Sequence, residues 1–128
     1  MKIMMRLLLV SIWMIFSAPA FSETASQVHK CEQDEEASDA DVLASASEWM
    51  QAAREVKGGK NLTVSIHFPI AAPVGEIDFL LVVNAPSLME WGEFMDNYEG
   101  SAVAKVDKRF AEIADCAEST LWESIKVK

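Results

Sequence analysis

Leu62-Thr63-Val64-Ser65-Ile66-His67-Phe68, followed at a short distance by Ile77-Asp78-Phe79-Leu80-Leu81-Val82-Val83, is the stretch on which the fold of this 128-residue chain turns. In the first segment large apolar residues alternate with Thr63, Ser65 and His67. That period of two places one face of a strand in a core and the other toward solvent. The second segment is apolar at every position except Asp78, the pattern of a strand covered on both faces. Ala71-Ala72-Pro73-Val74-Gly75 between them reads as a turn, so the two strands are expected to run antiparallel. Asn84-Ala85-Pro86 closes the second.

Helices flank this pair. Upstream, Val42, Leu43, Ala46, Trp49, Met50, Ala53 and Val56 recur at three and four residues, one apolar stripe of an amphipathic helix. Ser38 is its N-cap, Asp39 and Asp41 lie in its first turn, and Gly58-Gly59 is the expected end. Downstream, Ser87-Leu88-Met89-Glu90 matches a capping box. Leu88, Trp91, Met95 and Tyr98 form the stripe that follows. Gly100 breaks that helix and Ser101 caps a second piece carrying Val103, Val106, Phe110, Ile113 and Ala117. Gly92, inside the helix, costs about 1 kcal/mol relative to alanine, which points to close backbone packing there. Gln27–Glu32 is expected as a first strand and Ser119–Val127 as a last one.

The N-terminus has a different character. Lys2 and Arg6 precede an apolar run from Leu7 to Phe16, and Ala18-Pro19-Ala20 and Ala20-Phe21-Ser22 supply small residues at signal-peptidase spacing. Residues 1–22 are therefore expected to be a signal peptide cleaved after Ala20 or Ser22, with 23–128 a single domain. A retained anchor is the alternative, for which the run is short against the ~20 residues of a spanning helix. Export implies a periplasmic or secreted protein with no membrane attachment after cleavage. Losing Lys2 and Arg6 leaves nine basic against twenty acidic residues, a balance of −11. Such a surface repels phosphate backbones and anionic membranes, so nucleic acid is excluded as a partner. The acidic run from Glu32 to Asp41 lacks the spacing and central glycine of a calcium loop.

The resulting order is strand, helix, strand, strand, helix, strand. Right-handed crossovers make strands 1 and 2 parallel, and likewise 3 and 4. Interleaving the two units gives an α+β, ferredoxin-like βαββαβ plait, an antiparallel sheet of order 4-1-3-2 with both helices on one face. Cys31 ends strand 1 and Cys116 precedes strand 4. In that topology the two lie side by side, at the reach of a disulfide in an oxidising compartment. Free thiols are the alternative; neither cysteine has a second ligand at metal spacing, so no metal is expected. The helix-free face of strand 3 carries Leu80 and Val82, joined by Trp122 of strand 4. The chain has no element left to cover them, so a homodimer packing sheet against sheet is expected.

The element order, together with the strand-to-helix passage Phe79–Trp91, resembles the dimeric α/β-barrel superfamily of NIPSNAP-like, EthD-like and antibiotic-biosynthesis-monooxygenase-like proteins. That resemblance implies a ligand site on the open sheet face. It admits cofactor-free monooxygenases, haem-degrading enzymes, lyases and non-catalytic members alike, and fold does not choose among them. The haem-degrading members take an axial histidine from a helix; here neither His29 nor His67 falls on the second helix, and no cofactor is expected.

Alternation places Ser65, His67, Leu80, Val82, Asn84 and Trp122 on the open face as ligand-lining candidates, with His29 sharing it. His67 with Asp78 is the candidate catalytic pair, since a histidine beside a carboxylate can act as a general base near neutral pH. The plainer account of His67 is an interface residue on an edge strand. No phosphate loop, dinucleotide fingerprint or nucleophile elbow occurs. The leading reading is an exported dimer that binds a small apolar or aromatic molecule, or a partner protein, without catalysis. The rival is a cofactor-free monooxygenase or lyase using His67 and Asp78. A third is an interaction module whose interior is filled by its own side chains.

Overall fold

In the computed structural model, residues 23–71 and 77–127 are described; the expected signal peptide and residues 72–75 of the expected turn lie outside them. The elements are β1 (Glu23–Gln33), α1 (Asp39–Arg54), β2 (Thr63–His67), β3 (Phe79–Ala85), α2 (Leu88–Asp96), α3 (Ala102–Phe110) and β4 (Ala114–Ile125). The four strands form one antiparallel sheet ordered β2-β3-β1-β4, the expected plait read from its other edge.

Local chemistry sets the helix ends. At α1 the capping box is complete: the Asp41 N–H donates to Ser38 Oγ at 3.3 Å, and the Asp41 carboxylate accepts the Ser38 N–H at 2.8 Å. At α2 only half of it forms. The Glu90 N–H donates to Ser87 Oγ at 3.1 Å, while the Glu90 carboxylate accepts from the Ser87 hydroxyl at 3.3 Å and from Asn61 Nδ2 at 3.1 Å. Gly100, at φ +74°, ends the turn after α2, and Ser101 caps α3.

Several boundaries differ from expectation. Helix α1 stops at Arg54, ahead of Gly58-Gly59, and a run of turns carries the chain onward. Gly58 is needed for another reason. It sits at φ +83°, and a Cβ there would lie 2.9 Å from the Glu90 carbonyl oxygen, so only glycine lets this turn rest against the α2 backbone. No such approach occurs at Gly92, where a Cβ would meet nothing within 4 Å among the described residues. Helix α3 ends at Phe110, which leaves Ile113 in a turn and Ala117 in β4. β4 starts at Ala114, earlier than the periodicity suggested, because Ala114 and Cys116 already alternate toward the core. β1 likewise starts at Glu23, ahead of Gln27.

The core lies between the sheet and the helices. Phe79 and Val83 of β3, Ala25 and Cys31 of β1, and Trp49, Trp91, Phe94 and Phe110 of the helices are all buried. Each large side chain there contributes roughly 1.5–3 kcal/mol by leaving water. Trp49 meets Phe94 edge-on at 5.9 Å between ring centres, which locks α1 to α2. An Arg109–Glu48 ion pair joins α3 to α1 at the surface.

Cys31 and Cys116 form the expected disulfide, with Cα atoms 4.1 Å apart across β1 and β4. At this point the ladder changes register: Lys30 pairs with Glu118, but Glu32 pairs with Asp115. Two residues of β4, Cys116 and Ala117, therefore oppose Cys31 alone, which is a β-bulge. Cys116 and Trp122 are six apart, so a regular strand would put both on one face. The bulge turns Cys116 toward the buried Cys31 and leaves Trp122 on the other side.

The bond closes a loop of 85 residues. Reducing it, or substituting Cys31→Ala with Cys116→Ala, is expected to lower unfolding stability by roughly 2–5 kcal/mol. Thermal melts with and without reductant check this; in a domain near one hundred residues the midpoint should fall by at least roughly 8 °C.

Candidate functional site

The open face follows from the strand registers. On β3, Leu80, Val82 and Asn84 pair with His67, Ser65 and Thr63 of β2 on one side, and with Lys30, Val28 and Ser26 of β1 on the other. Ser26 and Val28 pair in turn with Trp122 and Thr120 of β4. Directly opposed residues share a face of the sheet, so Ser65, His67, Leu80, Val82, Asn84 and Trp122 stand together, as the alternation required. Val28 and Val82 form its apolar centre. Both are only half-buried, and Trp122 is 59% exposed. No element among the described residues covers this face.

Polar groups surround that centre. The Ser26 hydroxyl donates to Asn84 Oδ1 at 2.5 Å, and Trp122 Nε1 donates to Thr120 Oγ1 at 2.7 Å. Lys30 and Glu118 close one end with a 3.1 Å ion pair. The arrangement can take a flat apolar or aromatic group over Val28 and Val82, with Asn84, Ser65 and Thr120 within the same face as hydrogen-bonding partners.

His67 and Asp78 are not brought into contact by hydrogen bonding. His67 Nε2 shares a hydrogen bond of 2.9 Å with Ser65 Oγ. Asp78 lies just before β3; its carboxylate accepts the Gln33 N–H at 2.7 Å, and its own N–H donates to the Cys31 carbonyl at 3.0 Å. Asp78 thus ties the start of β3 to the end of β1. Nothing in this geometry orients the imidazole as a base through a carboxylate.

His29 is a correction. It pairs with Leu81 and Ser119, both on the helix-facing side, and it is half-buried there. The cause is strand parity: His29 is two residues from Cys31, whose sulfur is in the core, and so shares its face. Burial lowers the His29 pKa, opposed by the negative charge of Asp107 on α3. Asp107 also accepts the Tyr98 hydroxyl at 2.7 Å, and burial together with that bond raises the Tyr98 phenol well above its ordinary value. Sequence reasoning missed Ser26, Val28 and Thr120 on the open face. The signal that finds them is the same parity, counted from the cysteine.

Two other concavities occur. A groove of about 370 Å³ runs between α1 and the β2 edge, lined by Leu43, Met50, Arg54, Val64 and Ile66 among others. An open hollow of about 470 Å³ lies beside Asp78, Gln33 and Phe68. Among the described residues no cluster of three or more histidine, cysteine or acidic side chains is placed to hold a metal, and no helix is long and apolar enough to cross a membrane.

Solved structures share this architecture. A DABB-family protein with a ferredoxin-like fold from Mesorhizobium loti superposes with a TM-score of 0.51 at 13% identity, covering 83% of this chain and 98% of that one. Hydroxynitrile lyase from Passiflora edulis does so with a TM-score of 0.52 at 10% identity, over 84% and 95% of the two chains. A dimeric ferredoxin-like protein of unknown function from Thermobifida fusca gives 0.48 at 12% identity, over 82% and 92%. At these identities the likeness to the first two establishes the ferredoxin-like fold and nothing more. No protein-family model matches the chain, and no curated protein matches it by sequence.

The lowered His29 pKa sets a pH dependence. The unfolded chain takes up the proton first, near the ordinary value of 6.5. The stability that neutral His29 contributes is therefore complete above that pH and is lost as pH falls toward the depressed folded value. Urea midpoints between pH 7 and pH 5 should decline more steeply in the wild type than in His29→Gln.

Proposed function

We propose that the mature protein, residues 23–128 after removal of the signal peptide, is an exported homodimer. Its two sheets pack face to face around a chamber for a small apolar or aromatic molecule, and it acts by binding rather than catalysis. The observation that carries this reading is the uncovered sheet face, with Val28, Leu80 and Val82 at its centre and Trp122 at its margin. An isolated chain leaves that apolar surface in water; a second copy removes it at no cost in new sequence. The disulfide is in keeping with an oxidising compartment outside the cytoplasm, periplasmic or secreted.

The face also suits a binder in its chemistry. Its centre is apolar, and its hydrogen-bonding groups are few and partly engaged with one another: Ser26 with Asn84, Ser65 with His67, Trp122 with Thr120. A ligand would be held by area over the valines and oriented by one or two of these groups. The fold shared with a hydroxynitrile lyase gives the catalytic alternative a scaffold. The engagement of Asp78 with the Gln33 backbone leaves that alternative without an oriented base.

Native mass spectrometry of the mature protein from an exported fraction tests the proposal. A dimer is expected, with additional small-molecule mass in part of the population. Val82→Glu should convert it to monomer at micromolar concentration, because the new charge would be buried between the sheets without a partner. A wild-type monomer across that range would remove the basis of the proposal. A His67→Ala variant that abolishes turnover of an identified ligand would replace binding with catalysis.

A further inference from the structure

Helix α2 has two apolar faces, and only one belongs to the core. Trp91 and Phe94 are buried. Leu88, Gly92 and Met95 follow one another at i, i+4 and i+7 along a separate flank, with Met89 beside them. Leu88 is 55% exposed, Met95 44% and Met89 84%. At the middle of this flank stands Gly92, which weakens the helix although a Cβ there would meet nothing within 4 Å among the described residues. A glycine between exposed leucine and methionine residues is the shape that lets a second helix cross with its backbone close to this one, and methionine adapts to an irregular partner.

The charges around the flank identify the partner. Glu90, Glu93, Asp96 and Glu99 all lie on α2 or in the turn after it. Glu93 is paired with Lys57 at 2.8 Å, and Glu90 is held by Asn61 and Ser87. Asp96 and Glu99 are exposed and take part in no ion pair among the described residues. A second copy crossing at Gly92 would set one acidic rim against another. An anionic membrane would be repelled by the same rim. We infer that the Leu88–Gly92–Met95 flank of α2 is a docking surface for a basic amphipathic helix of another protein, on the side of the molecule away from the open sheet face. Leucines of such a helix fill the space over Gly92 between Leu88 and Met95, and its lysines or arginines meet Asp96 and Glu99. The interaction is independent of what the open sheet face binds.

The test uses the mature disulfide-bonded protein and a synthetic 18-residue helical peptide of leucine and lysine at amphipathic spacing. A scrambled peptide of the same composition is the control. The ordered peptide should bind with at least tenfold higher affinity than the scrambled one and slow amide exchange along α2. Gly92→Leu, which fills open space, should weaken binding about tenfold, equivalent to about 1.4 kcal/mol, with the fold intact. Leu88→Ser should weaken it without altering the helix backbone at Gly92. Gly92→Ala should raise the thermal midpoint by roughly 4–8 °C, since the added Cβ meets no described residue within 4 Å. The inference fails if both peptides bind alike, if exchange slows elsewhere, or if Gly92→Leu binds as tightly as wild type. It also fails if α2 is protected by neutral lipid vesicles alone or by association of the protein with itself.

Discussion

Everything on the two faces of the sheet depends on how β4 is pinned to β1. The Cys31–Cys116 bond sits at the bulge where the ladder shifts by one residue. Because side chains alternate with a period of two, a one-residue shift exchanges the faces of all that follows. Before the shift, Ala114 and Cys116 point into the core; after it, Trp122 and Thr120 point to the open face. Without the bulge the same strand would carry the cysteine and the tryptophan to one face together, and could not place each where it is. The covalent bond and the loop it closes therefore stabilise the domain and also decide which residues the molecule presents.

That presentation is what the proposed homodimer accounts for. β4 beyond Cys116 pairs with β1, yet its side chains are exposed on both sides of the sheet: Leu121 and Ile125 on the helix side, Trp122 on the open side. The neighbouring Leu80 and Val82 are shielded only by the residues flanking them. A single layer of helices covers one face of a sheet, and the described residues hold no second layer. In the proposed homodimer, pairing of two copies through the open face supplies it and encloses an apolar space in the same step. The helix side presents its own outward flank on α2, whose acidic rim disfavours self-pairing. The two surfaces thus differ in chemistry and lie on opposite sides of the sheet.

Much of this was legible in the chain before any coordinates. The alternation of Leu62 to Phe68, the unbroken apolar run to Val83 and the serine caps at Ser38, Ser87 and Ser101 led to the right elements in the right order. The cysteines then gave an independent check on the strand neighbours. What could not be seen was the bulge, because a bulge is a mismatch between two strands and neither strand's own sequence displays it. His29 was misplaced for a related reason: its polarity suggested the open face, whereas its distance of two from Cys31 puts it beneath α3. Asp78 looked like a catalytic partner because it interrupts an apolar strand. Its place is at the strand's start, where it satisfies the Gln33 N–H. Gly92 was expected to accommodate a neighbour within the chain, and among the described residues a Cβ there would meet nothing within 4 Å.

Three tryptophans fall among the described residues, and Trp49 and Trp91 are buried in the core, so of these Trp122 alone reports on the open face. Acrylamide quenching of tryptophan fluorescence over a dilution series measures its exposure directly. If the sheets pack against each other, Trp122 will be protected at high protein concentration and become quenchable on dilution, in step with dissociation. Quenching of one tryptophan in three at every concentration would show that the face stays in water, and the account of the fold as half of a closed dimer would be wrong.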